Sequence, residues 1–234
     1  MQVACEGVVF TRGAFTLSCT GTFSPGIHLV TGRVGSGKTT LALLLAGLLD
    51  PASGMVHREG VRGFSLSFQN PEYHVTGSTV RAEAASYGAD ADAVAAEVEL
   101  SARLDDDPFA LSRGELKRLH LAALLSREDD LLVLDEPFSS LDCIQKHRFC
   151  RALEEREGEI TVIFTHERQV LPAVDRLWEV EEGSVRDLGA VPEAIPHWRH
   201  APPYLREALA RGLAPENITF KDTIEAEGAC RTRD

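Results

Sequence analysis

The sequence predicts an α/β fold built around a parallel sheet, and three observations carry that prediction. An apolar run, Ile27-His28-Leu29-Val30, leads into a glycine-rich turn from Gly32 to Gly37, and an apolar helical run from Thr39 to Leu49 follows. Two further short runs, Leu131-Leu132-Val133-Leu134 and Ile160-Thr161-Val162-Ile163-Phe164, have the unbroken apolarity of strands covered on both faces. Ala- and Leu-rich stretches that favour helices lie between them. The 234 residues suffice for one large domain with an appendage, and a core of that size needs no disulfide or metal.

Taken in order, residues 1–31 alternate apolar and polar positions between Gly and Pro breaks, as in Val8-Val9-Phe10 and Phe15-Thr16-Leu17. That pattern predicts an antiparallel β-subdomain of strands and hairpins. Asp50-Pro51-Ala52-Ser53-Gly54 has the turn chemistry to stop the first helix, and Val56, Val61, Phe64, Leu66 and Phe68 resume strand-like alternation. Ala-rich residues 78–110 and the run Leu116 to Leu125 predict a short helical subdomain over about 72–125. Beyond Gly183 the prolines at 192, 196, 202, 203 and 215 surround one amphipathic stretch, Tyr204 to Leu213. The expected organisation is therefore a first domain over 1–188 and a C-terminal extension over 189–234.

Composition excludes several classes. Lys+Arg number 24 against 36 Asp+Glu, a formal charge of −12, which argues against a broad nucleic-acid or anionic-membrane footprint. A small anion held by local backbone groups stays compatible with that charge. The longest apolar run, Leu41 to Leu49, is about half of the ~20 residues a bilayer helix needs. The N-terminal residues lack the charged and apolar regions of a signal peptide. Cys5, Cys19, Cys143, Cys150 and Cys230 contain no C-x-x-C pair and fit reduced thiols in the cytoplasm.

Chemistry concentrates in two motifs. Gly32-Arg33-Val34-Gly35-Ser36-Gly37-Lys38-Thr39 matches G-x-x-x-x-G-K-[ST] between a strand and a helix, as a phosphate-binding P-loop requires. Its glycines let backbone N–H groups close around phosphates, and the helix N-terminus adds positive potential. Gly32, Gly35, Ser36, Gly37, Lys38, Thr39 and Thr40 are the expected nucleotide contacts, with Lys38 reaching the β/γ-phosphates and Thr39 holding Mg²⁺. Leu131 to Leu134 ends in Asp135-Glu136, at the crevice where α/β sheets bind ligands. Asp135 is expected beside Mg²⁺, and Glu136 is placed to polarise water for in-line attack.

Between these motifs, Leu111-Ser112-Arg113-Gly114-Glu115-Leu116-Lys117-Arg118 resembles the signature of ABC-type ATPases. Gln69 falls where that family has its Q-loop glutamine, Ser140-Leu141-Asp142 looks like the D-loop, and His166 looks like the switch histidine. The resemblance implies a P-loop core of ABC type that hydrolyses ATP with Mg²⁺. It also implies a second ATPase subunit, identical or related, paired head to tail so that each ATP lies between one P-loop and the other signature. Ser112, Arg113, Gly114, Glu115 and Asp142 would then meet the nucleotide from the partner, and Glu136 would be the base. His166 would orient the γ-phosphate and water, and Gln69 would bind Mg²⁺ or water.

A narrower resemblance is to the ATPases of energy-coupling-factor importers, which take up vitamins or ions such as cobalt and nickel. Phe68-Gln69-Asn70-Pro71-Glu72, the G-E-x-x-R ending of the signature and the segment from Pro202 to Leu209 carry it. It implies an integral-membrane partner, no nucleic acid, and a cytoplasmic chain peripheral on the inner face of the cell membrane. Arg113 departs from the family by replacing a glycine, and the usual adenine-stacking tyrosine is missing, with Arg12 in its place and Phe10 and Phe15 close by. The alternative function is a soluble ABC-type ATPase of DNA repair or translation; a P-loop small-molecule kinase leaves the signature unexplained. Cys143, His147 and Cys150 share helical spacing but read as a partly buried helix face, and His197 and His200 as a packed tail.

Overall fold

Nine strands join into one sheet in the computed structural model, which describes residues 1–231, with side chains described through residue 228. The strands are β1 (Gln2–Arg12), β2 (Phe15–Phe23), β3 (Gly26–Gly32), β4 (Ser53–Glu59), β5 (Phe64–Ser67), β6 (Leu131–Asp135), β7 (Ile160–Thr165), β8 (Arg176–Glu181) and β9 (Ser184–Ala190). Their order is β4-β1-β2-β9-β8-β3-β7-β6-β5. From β8 through β3, β7 and β6 to β5 every pairing is parallel. Every residue of β6 and β7 is buried, which is why their sequences are apolar without alternation. On the other side β4, β1 and β2 pair antiparallel, and β9 meets β2 at the single register pair Ser18–Ser184.

The first helix, α1 (Lys38–Ala46), is shorter than the sequence suggests. Gly47, at φ 75°, ends it by donating its N–H to the carbonyls of Leu43 and Leu44. Glycine reaches this left-handed geometry without a Cβ clash, so the helix ends at Ala46, four positions before Asp50. Two short helices, α2 (Val80–Ser86) and α3 (Ala91–Glu97), begin at the side-chain caps Thr79 and Asp90. They share an apolar cluster, including Val80, Ala84, Val94 and Leu100, with one face of α4 (Arg113–Leu125). The other face of α4 sends Leu121 and Leu124 into the cluster under the sheet. This helix therefore joins the helical layer to the parallel sheet.

Helix α5 (Cys143–Glu154) follows β6, and α6 (Pro203–Ala210) and α7 (Phe220–Arg231) are the last helices among the described residues. Strand β9 runs through residues 188–190, and Ala194, Ile195, Trp198, Leu205 and Ile218 join the cluster that contains Leu132, Leu134 and Ile163. Trp198 Nε1–H also donates to Thr31 Oγ1 on β3 at 2.8 Å. Cys5, Cys19, Cys143 and Cys150 are free thiols, while the side chain of Cys230 lies outside the described residues. Along α5, Cys150 is buried but Cys143 and His147 are exposed, and no metal-binding group of three occurs among the described residues. No helix among them is long and apolar enough to cross a membrane.

Candidate active site

Because β3, β5, β6 and β7 run parallel, their C-terminal ends open on the same edge of the sheet. A cleft of about 330 Å³ lies there, lined among others by Gly35, Gly37, Lys38, Thr39, Thr40, Gln69, Asp135, Glu136 and His166. Residues far apart in sequence meet because each terminates a neighbouring strand or begins the next element. At the P-loop, Gly37 has φ 112°, and a Cβ there would stand 2.7 Å from Leu17 Cδ1 and 2.8 Å from Phe15 Cζ. The loop thus needs glycine to lie against β2, and this packing brings Phe15 to the cleft wall. Phe15, and not Arg12, lines the cleft. The first helical bond of α1 runs from Leu41 N–H to Gly37 O at 2.9 Å, so the N–H groups of residues 38–40 point out of the helix end.

Lys38 is buried, with Nζ donating to the carbonyls of Gly32 (3.0 Å) and Arg33 (3.2 Å) and lying 3.7 Å from Glu136 Oε1. Thr39 Oγ1–H donates to Asp135 Oδ2 at 2.6 Å. Burial pushes the Asp135 carboxyl above its ordinary value; the Thr39 hydroxyl opposes that shift and the Glu136 carboxylate adds to it. Glu136 sits at φ 50°, a left-handed geometry that costs a non-glycine residue about 1–3 kcal/mol. Its N–H donates to Phe164 O at 2.8 Å, and Thr165 Oγ1–H (3.1 Å) and His166 N–H (3.2 Å) both donate to Oε2. His166 Nδ1 is 2.7 Å from Oε1, within hydrogen-bond distance. The buried carboxylate is therefore held at both oxygens with its backbone locked.

The remaining sequence-picked residues lie elsewhere. Ser112 is the N-cap of α4, its hydroxyl accepting from Glu115 N–H while Glu115 Oε2 accepts from Ser112 N–H. Arg113 donates to Asn70 Oδ1, its Nε lies 3.5 Å from Glu72 Oε1, and Gly114 follows in the first turn. Asp142 caps α5 in the same reciprocal way with Gln145. None of these residues lines the cleft. Ser36 Oγ is buried without a hydrogen-bond partner, beneath Gly32. Sequence reasoning missed Thr165, whose only signal is its place between a buried strand and His166. It also missed Lys117, a fully buried lysine whose ammonium burial pushes down to about 8.

Residues 20–139 match the ABC transporter family. The chain is 32% identical to the energy-coupling factor transporter ATP-binding protein EcfA1 of Thermotoga maritima, covering 72% of this chain and 73% of that one. The chain belongs to the ABC transporter family. It is an ATP-binding and ATP-hydrolysing cassette of a transporter. The aliphatic sulfonates import ATP-binding protein SsuB 2 of Frankia alni is 34% identical over 80% of this chain and 78% of its own. Among solved structures, an ATP-binding cassette of an ABC transporter superposes on this ABC ATPase with a TM-score of 0.66 at 19% identity, covering 82% of this chain and 92% of the other. A bacterial Atm1-family exporter with ATP bound gives 0.73 at 19% identity over 90% of this chain and 42% of its own. These two likenesses concern the fold.

Proposed function

We propose that this chain energises an importer of the energy-coupling-factor type, for a vitamin or a transition-metal ion, by hydrolysing ATP in the cleft at the edge of β3, β6 and β7. The observation that carries the chemistry is the paired arrangement of Glu136, fixed by Thr165 and His166, beside Thr39 and Asp135. In this reading the N-terminus of α1 and Lys38 take the phosphates, and Phe15 offers an aromatic face to the base. Glu136 accepts the proton of the attacking water, while His166 and Gln69 orient the groups around it. Thr39 and Asp135 present hard oxygen donors that suit Mg²⁺, which they and Gln69 would hold. Bound there, Mg²⁺ would neutralise charge developing on the phosphate oxygens.

The same reading makes the chain one half of a head-to-tail pair, identical or related, on an integral-membrane subunit at the cytoplasmic face of the membrane. Ser112, Arg113, Gly114, Glu115 and Asp142 supply the partner's cleft, and residues 189–234 help hold the pair, with Phe220 and Ile224 exposed on α7. The energy-coupling-factor assignment is favoured by the Gln69-Asn70-Pro71 segment and the EcfA relatives. The SsuB relatives favour a second importer class, one for organic sulfonates. Two measurements test this. Glu136→Gln should retain ATP and stop turnover, and undiminished hydrolysis would remove Glu136 as the base. Isolation from detergent-solubilised membranes should recover an integral-membrane subunit with the chain, and its identity separates the two importer classes.

A further inference from the structure

The segment Phe68-Gln69-Asn70 leaves the end of β5 and brings Gln69 to the cleft wall. Its main chain is gripped by side chains that no motif predicts. Lys117 Nζ donates to the carbonyls of Phe68 (3.1 Å) and Gln69 (3.4 Å). Phe68 N–H donates to His74 Nε2 at 2.8 Å. The His74 ring stacks on both Phe68 (5.1 Å between centroids) and His120 (4.1 Å). His120 is fixed in turn by Tyr87 Oη at Nδ1 (2.8 Å) and Ser67 Oγ at Nε2 (3.0 Å). Three backbone polar groups of Phe68 and Gln69 are thereby held, two of them by Lys117 on α4.

This grip is costly to build. Burying an ammonium is expensive unless its hydrogen bonds are made, and Lys117 is 0% exposed. An apolar residue of similar length would fill the same space without that cost. What the ammonium adds is the position of two carbonyls, one of them that of Gln69. We infer that Lys117 and His74 are positioning residues that act through Gln69, setting residues 68–69 so that the glutamine stands at the ATP cleft. Lys117 also lies five positions beyond the Ser112 cap of α4, and Arg113 ties the same helix to Asn70 and Glu72. The main chain beside the cleft-side glutamine is therefore bonded directly to the first turns of α4. The inference rests on the ATPase reading of the cleft.

A double-mutant cycle on the full chain tests it, with kcat and KM for ATP measured for Lys117→Met, Gln69→Ala and the double variant. Loss of a positioning contact should lower kcat by about tenfold or more with KM little changed. Groups that act through one another are not additive, so Lys117→Met should cost nothing further in the Gln69→Ala background. A second pair guards against a folding defect: His74→Phe, which keeps the stacking but loses the acceptor, should lower kcat, and His74→Gln, which supplies an acceptor, should restore it. Independent, multiplying losses for Lys117 and Gln69 overturn the inference, as does wild-type kcat in both Lys117→Met and His74→Phe. Glu136→Gln measured alongside separates the two levels. If it remains active, the ATPase reading of the cleft fails; if it is inactive while Lys117→Met and His74→Phe are wild-type, the positioning inference alone fails.

Discussion

The cleft at the strand ends and the segment that opens α4 differ in how completely one chain builds them. At the cleft, Lys38, Asp135 and Glu136 are buried, with Lys38 donating to the Gly32 carbonyl, Asp135 accepting from Thr39 and Glu136 accepting from Thr165. At the signature, Ser112 and Arg113 are exposed, and the polar atoms of Ser112 and Glu115 are spent on capping their own helix. Asp142 is likewise an exposed cap. A pocket formed by parallel strand ends is complete within one sheet. A helix N-terminus presented on a surface offers positive potential but no enclosure, so it acts on an anion that something else holds.

That contrast can be broken by measurement, beginning with the largest effect. Lys38→Met should weaken ATP binding by the single chain about ten- to a hundredfold, the worth of a charge-assisted hydrogen bond. Ser112→Ala should leave single-chain affinity unchanged while lowering ATPase turnover. Equilibrium binding of a fluorescent ATP analogue compares the two directly, and equal losses would mean that both segments serve one cleft in one chain.

Acid should act next, through the histidines between the two regions. Burial pushes His74 from its ordinary 6.5 down to about 4 and His120 well below 6.5. Between pH 6.5 and 4 the unfolded chain therefore binds protons that the native chain refuses, and stability falls as pH falls. The slope is about 1.4 kcal/mol per pH unit for each such histidine. Denaturant melts across that window should show it, and His74→Gln should flatten the dependence. A wild-type slope in that variant would refute the burial argument.

Two smaller effects concern the signature itself. Losing the Ser112 cap should cost about 1 kcal/mol of stability. Arg113→Ala should cost less, within the ~0–1 kcal/mol of an exposed ion pair. Thermal unfolding ranks the two, and a larger loss for Arg113 would show that its tie to Asn70 and Glu72 is stronger than its exposure implies.

Local pattern determined much of this. The P-loop, the strand ending in Asp135-Glu136 and the strand before His166 were legible because glycine spacing and unbroken apolar runs report backbone geometry and two-sided burial directly. The end of α1 was misread because Gly47 stops a helix before the more conspicuous Asp50-Pro51 does. The amphipathic stretch Tyr204 to Leu213 marks a face to be covered, but nothing local reveals that Trp198, Leu205 and Ile218 join the cluster under the sheet.

The sequence by itself determined the fold class, the glycine-rich turn between β3 and α1 and which side chains are candidates for the site, since each depends on neighbours along the chain. Only the tertiary structure decided which of them meet. Thr39 reaches Asp135 across 96 positions and Glu136 reaches His166 across 30, because parallel strands end on one edge. It likewise placed Phe15 rather than Arg12 at the cleft and buried Lys117 against the carbonyls of Phe68 and Gln69. Burial and hydrogen-bond partnership depend on what packs from elsewhere in the chain, and no window of sequence contains that.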